Sequence, residues 1–154
     1  MRLQVATRLA LYAILELASD PDRQFSATEI ADRFGISVNH LSKVLRSLGR
    51  AGLVEAVRGA GGGYRFVGNA KRITLLDLIR LFEDVDSSGD GGREAADATP
   101  EGRVLGSVLE EIEDITRVTL SSISVATMLK LIAAERHPQR TSPKTEGAVP
   151  LFGG

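Results

Sequence analysis

Residues 30–66 read IADRFGISVNHLSKVLRSLGRAGLVEAVRGAGGGYRF, and their spacing decides the fold. Just upstream, Ser26 followed three residues later by Glu29 is a capping-box signature, so a short helix starts there and runs through SATEIADRF. Gly35 ends it, because the turn that follows needs a positive φ angle. Ser37 opens a second helix, SVNHLSKVLRSLGRAG, to about Ala51. Val38, Leu41, Val44, Leu45 and Leu48 recur at helical spacing along it and predict its buried face, and Gly52 closes it. Ala31 is small where the two helices cross, Gly35 lies four residues later, and Ile30, Leu41 and Val44 are apolar where the crossing must be held. Together these five positions fit a helix-turn-helix. Behind them, residues 53–57 and 64–67 are two short β-like runs around a glycine-rich turn, which predicts a β-hairpin. The predicted fold is mainly α with a small β-hairpin, a winged helix-turn-helix domain followed by a long dimerisation helix.

Outward from this core, residues 3–18 (LQVATRLALYAILELA) are apolar on most faces, the mark of a largely buried helix, and Asp20-Pro21-Asp22 breaks it. Thr74 and Asp77 form a second capping pair and open a helix to about Val85. Residues 86–102 carry almost no large apolar side chain and read as a flexible loop. From about Arg103 a long helix follows. Its Leu105, Val108, Ile112 and Ile115 step by three and four like a coiled-coil seam, widened by Val104, Leu109, Val118 and Leu120. A bend near Ser122–Ser124 leads into a last short helix, and the tail reads as disordered. The predicted organisation is a DNA-binding domain over 1–85, the loop over 86–102, a dimerisation helix region over 103–136 and the tail over 137–154. The apolar stripe of the long helix is wider than one small domain covers, which points to a homodimer.

Composition narrows the chemistry. The chain has 154 residues, 43% of them hydrophobic, and a net charge of −1. It has no cysteine and two histidines, His40 and His137, so disulfides, thiolate metal sites and thiol nucleophiles are excluded and an imidazole metal site is not expected. No catalytic residue is predicted, since nothing resembles a Ser-His-Asp or Cys-His pairing. The glycines enter a strand-like YRFV and not a helix, which argues against a phosphate-cradling loop. No apolar run is long enough to span a membrane, and the charged start lacks a signal-peptide pattern, so the cytoplasm is the expected location. The small net charge hides an asymmetry: residues 1–72 carry 11 Lys/Arg against 6 Asp/Glu, and residues 73–154 carry 8 against 14. A basic first half suits a polyanionic partner.

Double-stranded DNA is the partner this pattern implies. In such folds the second helix lies in the major groove and reads bases through its N-terminal residues. The candidates are Ser37, Asn39, His40, Ser42 and Lys43. Asn39 has the geometry to pair bidentately with adenine. Lys43, Arg46 and Arg50 follow at spacings of three and four and suit phosphate contacts. On the wing, Gly61 and Gly62 sit in a run of glycines that lets the tip approach a surface closely, flanked by Arg58 and Arg65, and such an arginine suits the narrow minor groove. The alternative is a winged helix that binds protein instead of DNA, which the retained cations argue against.

Residues 1–18, residues 30–66 and the ITLLDLIRLFED segment together resemble the Rrf2 family of bacterial regulators. The resemblance covers about residues 1–84, with a looser match to about residue 132, and NHLSKV looks most like the nitric-oxide-sensing branch. It implies a homodimer joined through the long helix, binding to imperfect palindromes near promoters, usually as a repressor. It also implies a recognition helix beginning near Ser37 and a wing arginine at Arg58. Cluster-binding relatives place three cysteines in the loop before the long helix. Here that loop holds Ser87, Ser88, Ala95, Ala96 and Ala98, and hydroxyls and methyls do not replace thiolates on iron, so no iron–sulfur cluster is expected. The signal is then something else, a small molecule or a partner protein, and the sequence leaves open whether the missing cysteines are natural or engineered.

Overall fold

The computed structural model describes residues 1–83 and 95–138. The elements run α1 (Val5–Ser19), α2 (Ala27–Phe34), α3 (Val38–Arg50), β1 (Val54–Val57), β2 (Gly63–Phe66), α4 (Leu75–Arg80), a 3-10 turn (Ala95–Ala98), α5 (Pro100–Ser122) and α6 (Val125–Arg136). The architecture is mainly helical with one two-stranded antiparallel hairpin, as the residue pattern predicts.

The core is built on α1. Ala10, Ala13, Ile14 and Leu17 have no solvent exposure, and they pack with Ile30 and Ala31 of α2 and with Leu41, Leu45 and Leu48 of α3. The N-terminal end of α1 has no cap of its own, because Gln4 makes no side-chain capping bond. Glu83 supplies one from a distance. Its Oε1 accepts from the Gln4 backbone N–H at 2.8 Å and from the Oγ1 hydroxyl of the fully buried Thr7 at 2.7 Å. A carboxylate there satisfies an orphan donor and faces the positive end of the helix dipole. This contact accompanies an early end to α4, which stops at Arg80 and not near Val85. Leu81 and Phe82 donate to Leu78 and Ile79, three residues back, and this tighter turn leaves Glu83 against α1. Residues 84 and 85 lie outside the described residues.

Both predicted capping boxes form. Glu29 N–H donates to Ser26 Oγ at 3.0 Å and Ser26 N–H donates to Glu29 Oε2 at 2.8 Å. Thr74 and Asp77 repeat the pattern ahead of α4. The Ser26 backbone bond, reinforced by Arg23, holds the Glu29 carboxyl below its ordinary range. A depressed carboxyl stabilises the fold above its unfolded pKa and loses that contribution as the pH falls through its lowered value. Gly35 takes the left-handed conformation, φ 64° and ψ 41°, that turns α2 into α3. One expected core position is corrected: Val38 is 38% exposed. It is the first residue of α3, and since Cβ atoms lean toward a helix's N-terminus, its side chain tilts past the edge of the packed surface.

In the hairpin, Val54 pairs with Phe66, Glu55 with Arg65, Ala56 with Tyr64 and Val57 with Gly63. Phe25 adds a third, one-residue rung: Phe25 and Tyr64 exchange backbone hydrogen bonds of 2.9 and 2.7 Å. That rung explains Gly63, where a Cβ would stand 2.4 Å from the Phe25 carbonyl oxygen.

Beyond the winged domain, the expected loop over 86–102 is corrected at its end. Residues 95–98 form the 3-10 turn and α5 starts at Pro100, because Thr99 Oγ1 accepts from Gly102 N–H at 3.1 Å and proline suits the first helical position. The loop's remaining residues, 86–94, and residues 139–154 of the tail lie outside the described residues. No residue of α5 is buried. At Ile123 the helix breaks, as the sequence suggests, and Ser124 caps α6, whose Val125 enters the core. Main-chain bonds fix this joint: Leu75 N–H to Ile123 O at 2.9 Å, and Val125 N–H to Ile73 O and Ala126 N–H to Ala70 O at 2.8 Å each. Among the described residues, no helix is long and apolar enough to cross a membrane.

Gly63→Ala is expected to cost about 1–3 kcal/mol in urea unfolding, because backbone must shift to admit the methyl. Gly49→Ala, on α3, is the control. Its added Cβ meets its nearest atom at 3.8 Å, and its φ is not positive. It is expected to stabilise the protein by up to about 1 kcal/mol.

Candidate nucleic-acid interface

α3 is amphipathic, and its outward face collects the predicted site residues. Leu41, Val44, Leu45 and Leu48 turn inward, while Asn39, His40, Lys43, Arg46 and Arg50 are exposed. The helix carries no acidic residue. Among the described residues, Lys43, Arg46, Arg50 and Arg58 pair with no carboxylate. Positions three and four apart lie on one helix face, so Lys43, Arg46 and Arg50 form a continuous cationic strip. Arg46 and Arg50 line a groove with Ala56 and Tyr64 where α3 meets the hairpin, which joins the strip to the wing.

The two serines have structural tasks. Ser37 caps α3, its Oγ accepting from His40 N–H at 3.3 Å, which leaves its own hydroxyl hydrogen to donate outward. Ser42 is half-buried and its hydroxyl donates to Val38 O at 2.8 Å, one turn back. Side-chain donors are therefore more available on Asn39, His40 and Lys43 than on Ser42.

The wing separates its two arginines. Arg58 is exposed beside the tip. Arg65 is not free, since it faces Glu55 across the strands and its Nη2 lies 3.0 Å from Glu55 Oε2. Sequence reasoning missed Glu55, although the hairpin register alone sets the two residues opposite each other. Gly61 and Gly62 serve the turn itself: Gly62 N–H donates to Gly59 O at 2.9 Å, and a Cβ on Gly62 would stand 2.4 Å from Val57 O. Of the predicted dimerisation residues, Leu105, Val108, Leu109, Ile112 and Ile115 of α5 share one feature, exposure of 48–60%.

Among the described residues there is no group of three or more metal-ligating side chains. The described geometry offers a cationic, hydrogen-bonding helix face beside a glycine-turned hairpin. The model of the Rrf2 family, described as iron-dependent transcriptional regulators, matches residues 3–131. The chain belongs to the Rrf2 family. It is similar to BadM of Rhodopseudomonas palustris (strain ATCC BAA-98 / CGA009), whose name describes it as an HTH-type transcriptional regulator. The two are 53% identical over 148 residues, which cover 96% of this chain and 94% of the relative. Among solved structures, T. potens IscR superposes with a TM-score of 0.65 at 30% identity over 89% of this chain and 91% of that one. The global cysteine regulator CymR of B. subtilis shares the fold, with a TM-score of 0.72 at 24% identity over 85% of this chain and 98% of that one. This Rrf2 protein is a transcriptional regulator and not an enzyme.

Ser37→Ala is expected to destabilise the protein by about 1 kcal/mol through loss of the α3 cap. Glu55→Gln is expected to change stability by less than about 1 kcal/mol, because the Glu55–Arg65 pair is solvent-exposed. Thermal melts of both variants check this contrast.

Proposed function

We propose that this regulator is a homodimer that binds double-stranded DNA at palindromic promoter sites and represses transcription. The observation that carries the proposal is the cationic strip of α3, Lys43, Arg46 and Arg50, which pairs with no carboxylate among the described residues and is set beside the exposed Arg58 of the hairpin. In this reading α3 enters the major groove. Asn39 and His40 address base edges, the strip holds phosphates and Arg58 reaches the adjacent minor groove. Ser37 adds a donor at the helix start. Arg65 acts mainly by holding Glu55 away from the phosphates.

The homodimer is supported by α5. Val104, Leu105, Val108, Leu109, Ile112, Ile115 and Val118 are 48–67% exposed on a helix with no buried residue. A stripe of this size left in water is unfavourable, and a two-fold pairing of α5 with α5 covers it with the same stripe. Such a pairing also sets two recognition helices for two half-sites. Repression and a cytoplasmic location are the family's usual setting.

The chain is also proposed to work without an iron–sulfur cluster. The family description includes iron, but this chain has no thiolate to hold a cluster. The signal then comes from a small molecule or a partner protein.

An operator recovered by selection from random duplexes, followed by fluorescence anisotropy against salt, tests the DNA reading. Arg46→Gln is expected to lower the log–log salt slope by about 0.9, one phosphate contact. Asn39→Ala is expected to relax discrimination at one base position by about 1–3 kcal/mol. A folded dimer that selects no sequence and binds no duplex at low salt overturns it. Sedimentation is expected to give a dimer that Ile112→Glu converts to monomer, and a monomeric wild type overturns the α5 assignment.

A further inference from the structure

Between α1, the C-terminal end of α2 and α6 lies a cleft of about 570 Å3. That volume is in the range of ordinary small-ligand sites. Its α1–α2 side is aromatic: Tyr12 and Phe34 stack with ring centroids 5.0 Å apart and planes 14° apart. Its α6 side is aliphatic, formed by Met128, Leu129 and Ile132, all only half-buried. Two guanidinium groups line the same cleft. Arg33 and Arg136, with the imidazole of His137, stand against one carboxylate among the described residues, Glu16. Glu16 is already engaged, since Arg33 Nε lies 2.9 Å from its Oε2 and the Glu16 side chain is 15% exposed. Arg136 pairs with no carboxylate among the described residues.

An apolar slot beside a cation that pairs with no carboxylate among the described residues selects a ligand chemistry. A neutral apolar molecule makes no use of the exposed Arg136 at the rim, and a small hydrophilic anion leaves the aliphatic wall in water. A carboxylate attached to an apolar body satisfies both.

We propose that this cleft binds a small organic carboxylate with an apolar body, and that occupancy changes DNA affinity through α2. The second half rests on the DNA-binding reading above. Arg33 and Phe34 are the last two residues of α2, and only Gly35, Ile36 and Ser37 separate them from α3. A ligand wedged between Phe34 and α6 bears on the helix that orients the recognition helix. The same α6 continues from α5 through the Ile123–Ser124 joint. A ligand shifts DNA affinity only if the free and DNA-bound forms bind it differently, and DNA then shifts ligand affinity by the same factor.

Calorimetry on the full chain with 2-naphthoate and with decanoate, against 2-naphthamide as the uncharged control, tests the site. Ala133→Trp fills the cleft from an exposed position of α6, and Arg136→Gln removes the guanidinium charge. At least one carboxylate is expected to bind saturably, about tenfold weaker in Arg136→Gln and not at all in Ala133→Trp. The amide is expected to bind no better than that carboxylate does to Arg136→Gln. The bound carboxylate is expected to change operator affinity about fivefold or more in the wild type, with no change in Ala133→Trp. No saturable binding by either carboxylate at about millimolar concentration, or binding unchanged in both folded variants, overturns the site. Binding with unchanged operator affinity overturns the coupling. A protein that binds the carboxylate in the expected variant pattern but binds no DNA upholds the site and overturns the DNA reading instead.

Discussion

Helix α1 has almost no polar face to give to water. Ala10, Ala13, Ile14 and Leu17 have no exposure, and α2, α3, β2, α4 and α6 all pack on the helix that carries them. Burying one large aliphatic side chain is worth roughly 1.5–3 kcal/mol, so the neighbours are held by the apolar area α1 removes from water. The alanines let helices approach closely, while Ile14 and Leu17 fill the space between them. The crossing of α2 on α3 is thus held from behind, by a helix that presents no residue to the candidate interface. Even the end of α1 is completed by another element, through Glu83.

The C-terminal part follows the opposite logic. α5 is long and regular, with an N-terminal threonine cap and proline in its first turn, yet it buries none of its own residues. The winged domain buries most of its large aliphatic side chains internally. The α5 stripe does not, and this contrast within one chain is the reason a second copy of α5 is proposed as its partner.

What the sequence disclosed was local. Ser26 and Glu29, Thr74 and Asp77, and Gly35 each act within a few residues, so their spacing alone announces the caps and the turn. The hairpin strands and the break near Ser124 were legible for the same reason, and the motifs of residues 1–84 carried the family. The candidate interface residues share a face as their helical spacing implies, since Lys43, Arg46 and Arg50 are all exposed on α3. What was hidden depends on partners far away in the chain. Nothing near Glu83 announces that it will cap α1 across 76 residues from Thr7, so the early end of α4 was out of reach. Val38 kept the right spacing but lies one turn too early to be covered. The α1–α2–α6 cleft needs three segments to meet, and no periodicity encodes it.

The joint between α5 and α6 is tied to the segment before α4 by main-chain bonds from Leu75, Val125 and Ala126. Bonds of this kind ask nothing of side-chain identity beyond the exclusion of proline at the three donors. Mutation can therefore rewrite exposed residues on both sides of the joint, though not the buried Val125 or the capping Ser124, and leave the bearing of the long helix on the winged domain unaltered. The surfaces proposed to meet a ligand and a second copy are thus free to vary, while the angle between them is held by the peptide backbone.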